Sequence, residues 1–325
     1  MLKTTTVGSF PKSEELKAAR AKVRRGAMDP EQLKALEESA TRDWIKIQEE
    51  IGLDILVDGE QYRGDMATYF AENLEGFTIS SLVRSYGNRY YRKPIAVKPI
   101  RWKKPITVEW FRFAQGLTRK PVKGMLTGPY TMMDWSFNEA YPNRRAFCLG
   151  LAQALHEEVK ALEAAGAQFI QIDEPAVSTR FDEIDLAIEA MRVVTKGVKV
   201  QTGTHICYGD FEKVYPQILN LAVDQIDLEF TNSNFALLEI IRKIPFTKEV
   251  GFGVVDVHSH RVESIEEIKA NIRKGLEVFS PEKLYVDPDC GLKTRQKEET
   301  VAKLTNMVTA VREVRKELGV STVRS

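Results

Sequence analysis

Short β-rich runs alternate with amphipathic helical stretches along most of the chain. Eight such runs occur, at residues 3–10, 53–60, 122–129, 167–175, 198–207, 224–230, 249–259 and 283–291. Strand–helix alternation is typical of a parallel sheet with helical connections. Eight units in 325 residues favour an α/β fold of the closed (β/α)8 type, a TIM barrel. No glycine-rich phosphate-binding loop follows a run, which counts against an open nucleotide-binding sheet.

The helical stretches between these runs carry recognisable end signals. Asp29 and Pro30 have the residue types of an N-cap and a first helical position, and Gly52 is placed to end the same helix. Gly26 is a plausible stop for the preceding one. We therefore predict one barrel domain over residues 1–325, with helices on its outside.

Residues 77–121 interrupt the alternation. Two segments of alternating apolar and polar residues flank a Tyr-Gly-Asn turn at 86–88, which predicts a β-hairpin inserted after the second strand, over the barrel mouth. Residues 80–123 contain twelve Lys or Arg and a single acid, Glu109. This composition fits a docking surface for an acidic partner or a polyanionic substrate. A solvated hairpin and a nucleic-acid surface, with interleaved aromatic and basic residues, are the alternatives.

The bulk composition narrows the class of protein. A formal net charge of +1 gives no general attraction to nucleic acid or membrane. Three widely spaced cysteines argue against a disulfide framework and for a reducing compartment. The N-terminal residues lack the apolar segment of a signal peptide, and no stretch approaches the ~20 apolar residues of a membrane span. These features predict a cytoplasmic protein.

Polar or metal-ligating residues end nearly every β-rich run. Active sites of TIM barrels collect at the carboxyl ends of the strands, so these residues are the candidate site. They are Ser9, Glu60, Thr127, Asp173, Glu174, His205, Cys207, Glu229, Asp256, His258 and Cys290.

Four of these residues have the chemistry of a zinc site. His205 and Cys207 end the fifth run, Glu229 the sixth and Cys290 the eighth. These runs are near neighbours around a barrel, so an imidazole, two thiolates and a carboxylate can converge on one ion, and thiolates favour zinc. The alternative is that the cysteines are small buried hydrophobes and His205 a satisfied core residue. Cys148 lies on an apolar helix face and is predicted to be core.

The remaining candidates suggest substrate contacts. Glu60 and Asp173 can bind an ammonium group or act as acid and base, or can be structural acceptors. His258, close to Asp256, can donate a proton near neutral pH, or can be an inert loop residue. Trp135, in the loop after the third run, can stack on a flat heterocycle or anchor the loop by packing.

Eight motifs together resemble the cobalamin-independent methionine synthases, and specifically their C-terminal catalytic barrel. In chain order they are TTTVGSFP (4–11), DGE (58–60), LTGPYTMMDWSF (126–137), QIDEPA (171–176), THIC (204–207), IDLEF (226–230), DVHS (256–259) and DPDCGL (287–292). The resemblance implies a zinc-dependent homocysteine S-methyltransferase, in which a zinc-bound homocysteine thiolate attacks a methyl donor to give methionine.

The resemblance also implies a role for each matching residue. It assigns the zinc to His205, Cys207, Glu229 and Cys290, the substrate ammonium to Glu60 and Asp173, the substrate carboxylate to Ser9, protonation of the leaving donor to His258, and stacking of a folate pterin to Trp135.

The methyl donor is a separate expectation. Full-length members of the family carry a second, N-terminal barrel that helps to bind folate polyglutamate, and this sequence matches only the catalytic barrel. Short members of this kind suggest a methylated corrinoid as donor, either methylcobalamin or a corrinoid protein that docks on residues 80–123. The alternatives are 5-methyltetrahydrofolate polyglutamate as donor, a zinc alkyltransferase acting on another thiol such as coenzyme M, a nucleic-acid-binding protein with structural zinc, and a catalytic half that needs a separately encoded partner.

Overall fold

The computed structural model describes residues 1–84, 90–207, 209 and 211–319. The strands in this part of the chain are β1 (Lys3–Thr4), β2 (Glu75–Arg84), β3 (Tyr90–Arg101), β4 (Gly124–Thr127), β5 (Phe137–Asn138), β6 (Phe169–Asp173), β7 (Gln201–Ile206), β8 (Gln225–Leu228), β9 (Glu249–Val255) and β10 (Leu284–Pro288). The helices are α1 (Glu14–Arg24), α2 (Pro30–Ile51), α3 (Met66–Asn73), α4 (Val108–Gly116), α5 (Pro129–Asp134), α6 (Arg144–Ala164), α7 (Ile184–Val194), α8 (Phe211–Val214), α9 (Leu237–Lys243), α10 (Ile265–Leu276) and α11 (Lys297–Glu317). Short 3-10 helices span Pro175–Thr179, Phe181–Glu183 and Gln217–Asn220.

Seven of the eight predicted runs contribute a strand to one sheet. Its strand order is β1-β10-β9-β8-β7-β6-β4. The pairs with a described register, from β1–β10 to β6–β7, are parallel. Parallel neighbours separated by helices are what the alternation predicts.

The run at 53–60 is the exception, and its prediction as a strand is wrong. Leu56 forms a single isolated parallel bridge with Val122, which does not extend into a ladder of paired residues. Gly59 and Glu60 have φ angles of +78° and +54°, so the backbone leaves the extended conformation soon after the bridge. The backbone N–H of Glu60 donates a hydrogen bond to the Asp58 Oδ1 at 2.9 Å.

The chain divides into two compact units. The first comprises Met1–Tyr62, Phe113–Lys123 and Asp227–Ser325, and the second comprises Arg63–Arg112 and Gly124–Ile226. The core of the first includes a cluster of Phe230, Phe252 and Phe279, with ring centroids 4.4 to 6.3 Å apart. The core of the second includes the buried face of α6, on which Cys148 is fully buried, as predicted. That residues 1–325 form a single domain stays a prediction.

The helix-end signals hold in the first unit. The Asp29 carboxylate accepts a hydrogen bond from the Glu31 N–H, so it caps α2, whose first residue is Pro30. Gly52 ends the same helix at a φ of +92°, which a side-chain-bearing residue adopts only with strain. Gly26 follows α1 in the same left-handed region.

The interrupting stretch pairs β2 and β3 antiparallel, with Thr78 opposite Ile95. The predicted turn at 86–88 lies outside the described residues. Helix α4 occupies part of the same stretch, and the placement of an inserted hairpin over a barrel mouth stays a prediction. None of the helices in the described part of the chain is long and apolar enough to cross a membrane.

Candidate metal and substrate site

One imidazole and two thiols come together in the structure. The ligand atoms of His205, Cys207 and Cys290 all lie within 4.8 Å of one another. His205 and Cys207 are two residues apart where β7 ends, so their side chains point to the same side, and both are buried. Bonds of ~2.0–2.3 Å to a tetrahedral zinc would bring such atoms to about 3.3–3.8 Å from one another. The group therefore fits a metal ion after small side-chain movements.

Glu229, the fourth predicted ligand, lies outside that three-residue group. It directly follows β8 and is 3% exposed. Its Oε2 is 4.0 Å from the Nε2 of His258. The structure thus brings a predicted ligand and the predicted proton donor close together, where a protonated His258 would be attracted to the buried carboxylate.

The loop that carries His258 is held by backbone hydrogen bonds to carboxylates. The Asp256 carboxylate accepts from the His258 N–H at 2.7 Å, and the Glu263 carboxylate accepts from the Asp256 N–H at 3.0 Å. The His258 side chain is 32% exposed and therefore open to a ligand. His260 is 69% exposed and pairs with Glu299 instead.

Ser9 packs directly against the segment that follows Cys290. Its carbonyl accepts a hydrogen bond from the Leu292 N–H at 2.8 Å. A Cβ at Gly291 would lie 2.2 Å from the Ser9 hydroxyl oxygen. The absence of a side chain at Gly291 therefore leaves room for the Ser9 hydroxyl in this orientation.

Glu60 sits on a strained turn. Its φ of +54° is uncommon for a residue with a side chain and costs of order 1–3 kcal/mol. The Asp58 carboxylate supports the turn, since it accepts both the Glu60 N–H and the Tyr62 hydroxyl, at 2.9 and 2.8 Å. Strain of this kind is often found where a side chain must be aimed at a ligand.

Asp173 ends β6 and is 7% exposed. The Gln171 side-chain amide donates to its Oδ1 at 2.8 Å, which orients the carboxylate. Its carbonyl oxygen accepts from the Gly128 N–H at 2.8 Å. The carboxylate is thus held in one orientation at a strand end.

Glu174 is a buried carboxylate to which the sequence reasoning assigned no role. Its two oxygens accept the N–H groups of Tyr130 and Thr131, at 3.0 and 2.7 Å, and so cap α5. Desolvation raises the pKa of Glu174 to about 7. Its own N–H donates to the His205 carbonyl at 3.0 Å. The sequence shows Glu174 as an acid directly after a strand. It does not show that this carboxylate binds the N–H groups at the start of α5.

Trp135 directly follows α5 as its C-cap. Its N–H donates to the Thr131 carbonyl at 3.0 Å, and its side chain is half-buried. Two residues later Phe137 opens β5, opposite Ile95 of β3. Stacking of a heterocycle on Trp135 stays a prediction.

Comparison with known proteins places the chain in a family of cobalamin-independent synthases. Residues 2–313 match the family model described as "Cobalamin-independent synthase, Catalytic domain". A 5-methyltetrahydropteroyltriglutamate–homocysteine methyltransferase from Bacillus velezensis is 44% identical over 98% of the chain, which spans 43% of that relative's length. A methionine synthase from Saccharolobus solfataricus is 40% identical, over 98% of the chain and 96% of the relative. A structure of a B12-independent methionine synthase from Shewanella sp. W3-18-1, in complex with selenomethionine, is 31% identical with a TM-score of 0.87, and covers 99% of this chain and 100% of that one.

These matches confirm the predicted α/β (β/α)8 TIM-barrel class and the predicted family. They contradict the expectation of a corrinoid donor, whether methylcobalamin or a corrinoid protein. The matched family is cobalamin-independent, and the Bacillus relatives are named for a pteroyltriglutamate donor. The error came from treating the match to the catalytic barrel alone as evidence about the donor.

Proposed function

Since the chain belongs to the family of cobalamin-independent synthase catalytic domains, we propose that it transfers a methyl group to homocysteine and forms methionine. The donor we propose is 5-methyltetrahydropteroyl-polyglutamate, after the names of the Bacillus relatives. The grouping of His205, Cys207 and Cys290 is the observation that carries the proposal, because a thiol-methylating barrel needs a place to activate a thiol.

Zinc is the metal that this donor set favours, since two thiolates and an imidazole are soft to borderline ligands. His205, Cys207 and Cys290 would hold it, with Glu229 as the fourth ligand. Bound there, zinc would keep the homocysteine sulfur deprotonated, whereas a free thiol with a pKa of about 8.5 is mostly protonated at pH 7. The buried carboxylate of Glu229 is the hardest ligand in the set and the one best suited to give way to substrate.

Three residues orient the amino-acid part of the substrate in this proposal. Glu60 and Asp173 pair with the ammonium group, and the hydroxyl and N–H of Ser9 take the carboxylate. Two carboxylates favour an amino-acid thiol over a sulfonate thiol such as coenzyme M, because they attract the ammonium and repel the sulfonate. Fixing both ends of the substrate leaves the sulfur little freedom, which lowers the entropic cost of reaction.

Methyl transfer leaves the donor with an electron pair that must take up one proton. A sulfur lone pair forms the new S–CH3 bond as the bond between the methyl group and N5 of the donor breaks. The electron pair of the broken bond stays on N5, which then takes a proton from His258. The partial exposure of His258 and the hydrogen bond from its N–H to Asp256 support this role, because the imidazole is accessible on a fixed loop. Trp135 would stack on the pterin.

Metal analysis of purified variants tests the proposal without an activity assay. Cys207→Ser and Cys290→Ser should each lose most of the bound zinc, whereas the wild type should hold about one ion per chain. Cys148→Ala is the matched control, because Cys148 is a fully buried thiol on α6 that belongs to the apolar core. Retention of zinc by both serine variants, or loss of zinc only in Cys148→Ala, would overturn the proposed metal site.

A further inference from the structure

The carboxylate of Asp289 joins two loops that carry predicted zinc ligands. Asp289 directly precedes Cys290 and is fully buried. Its Oδ1 accepts the N–H groups of Phe230 and Thr231, at 3.0 and 3.1 Å. Its Oδ2 accepts the Asn232 N–H at 3.0 Å and the Thr231 hydroxyl. The three residues that follow Glu229 are thus all bound to the residue before Cys290.

The loop after Glu229 is folded so that its N–H groups converge on this carboxylate. The Asn234 N–H donates to the Thr231 carbonyl at 3.0 Å, and the Phe235 N–H to the Phe230 carbonyl at 2.8 Å. Asn234 and Phe235 have φ angles of +50° and +63°. Two consecutive residues in the left-handed region are costly, so the loop needs a strong partner to keep this shape.

The sheet leaves room for the carboxylate at Gly253. A Cβ there would lie 2.2 Å from the Asp289 Oδ1 and 3.1 Å from the Leu228 carbonyl oxygen. The register of β9 and β10 shifts between Asp287 and Pro288, and the Asp289 N–H then bonds to the Val255 carbonyl at 3.0 Å. A glycine and an irregular register therefore both accommodate Asp289 where β8 and β10 end.

We infer that Asp289 is a positioning residue that holds Glu229 and Cys290 in register with each other for metal binding. The inference rests on the proposed function, since it concerns ligands of the proposed zinc. A carboxylate that only capped a loop would stabilise the fold without changing metal affinity. If the carboxylate instead fixes the distance between two metal ligands, its loss lowers metal affinity by more than it lowers stability. Groups that orient the ligands of a metal typically account for about 10–100-fold in metal affinity.

Asp289→Asn is the discriminating variant, because it keeps the shape and Oδ1 but turns an acceptor for the Asn232 N–H into a donor. Zinc affinity is measured by competition with a chromophoric chelator, and thermal unfolding is measured on the zinc-free protein. We expect Asp289→Asn to bind zinc about 10–100-fold more weakly. Thr231→Val, which removes only the hydroxyl donor, should weaken binding by less.

Asp54→Asn is the matched control. Asp54 also accepts a backbone N–H and a hydroxyl, both from Thr4, at 2.8 and 2.9 Å, but it binds the start of β1 rather than a ligand loop. It should lower the unfolding temperature and leave zinc affinity unchanged. Wild-type zinc affinity in Asp289→Asn, or an equal loss of affinity in Asp54→Asn, would overturn the role of Asp289 but not the proposed metal site. A wild type that binds no zinc overturns the proposed metal site and this inference together.

Discussion

At the scale of single residues, two glycines leave room for side chains at the candidate site. Gly291 and Gly253 each lie where a Cβ would be 2.2 Å from a side-chain oxygen, that of Ser9 and of Asp289 respectively. Both oxygens belong to residues with a proposed role at the site. A side chain at Gly291 or Gly253 would therefore displace Ser9 or Asp289 from its present position.

Gly291→Ala should strain the contact with Ser9. Overpacking of this kind typically costs about 1–3 kcal/mol of unfolding free energy. Because Ser9 is proposed to bind the homocysteine carboxylate, the KM for homocysteine should also rise. Denaturant unfolding and steady-state kinetics measure the two effects.

The double variant Ser9→Ala/Gly291→Ala isolates the clash, because it removes the oxygen that the new methyl group meets. The double variant should lose about 1 kcal/mol less unfolding free energy than the sum of the losses in the two single variants. Strict additivity would contradict the steric explanation.

The residues that sequence reasoning assigned to the metal were recognisable by type and position. A histidine and cysteines directly after β-rich runs are unusual in a chain with four histidines and three cysteines. The roles of Glu174 and Asp289 were not recognisable in this way, although Glu174 also lies at the end of a β-rich run. Their partners lie 43 to 44 and 57 to 59 residues away in sequence, so only the folded chain shows which backbone groups they bind.

At the scale of elements, helix α11 fastens the loop that carries His258. Lys303 is fully buried and donates to the Asp256 carbonyl at 2.9 Å and to the Glu263 carboxylate at 2.8 Å. Glu263 in turn accepts the Asp256 N–H. The buried ion pair therefore connects α11 to the backbone two residues before His258.

Lys303→Met should leave the Glu263 carboxylate buried without its counter-charge. Breaking a buried pair in this way typically costs about 3–5 kcal/mol. Chemical denaturation measures the loss. The matched control, Lys269→Met, removes a lysine from α10 whose partners Glu266 and Glu313 are 74% and 41% exposed, and it should lose much less. Equal losses in the two variants would show that burial of the Lys303 pair is unimportant.

Asp54 links β1 and α11 through Thr4 and Arg315. Burial alone would raise the pKa of Asp54, but hydrogen bonds from Thr4 and the Arg315 guanidinium outweigh it and hold the pKa below its usual 3.8. As pH falls below that value the unfolded chain takes up the proton first, so the stabilisation is present above it and lost below it.

The stability difference between wild type and Asp54→Asn should therefore be constant above pH ~4 and shrink as the pH falls further. Denaturant titrations at a series of pH values measure it. A difference that stays constant down to the most acidic pH at which the protein remains folded would contradict the lowered pKa.

At the scale of the whole molecule, the class of fold was predictable from the alternation of strands and helices. The run at 53–60 was mispredicted because its apolar residues have the pattern of a strand, while the turn at Gly59 and Glu60 that shortens it depends on backbone angles. The donor was mispredicted for another reason. The part of the family's length that this chain spans says nothing about which molecule supplies the methyl group, and the matched family is cobalamin-independent.

The most direct test of the central claim is methionine formation by the purified, zinc-loaded protein from homocysteine and 5-methyltetrahydropteroyltriglutamate. We predict that methionine forms, that chelation of the zinc abolishes its formation, and that added zinc restores it in the wild type but not in Cys290→Ser. Absence of methionine with folded, zinc-loaded protein, or equal turnover in Cys290→Ser, would contradict the account.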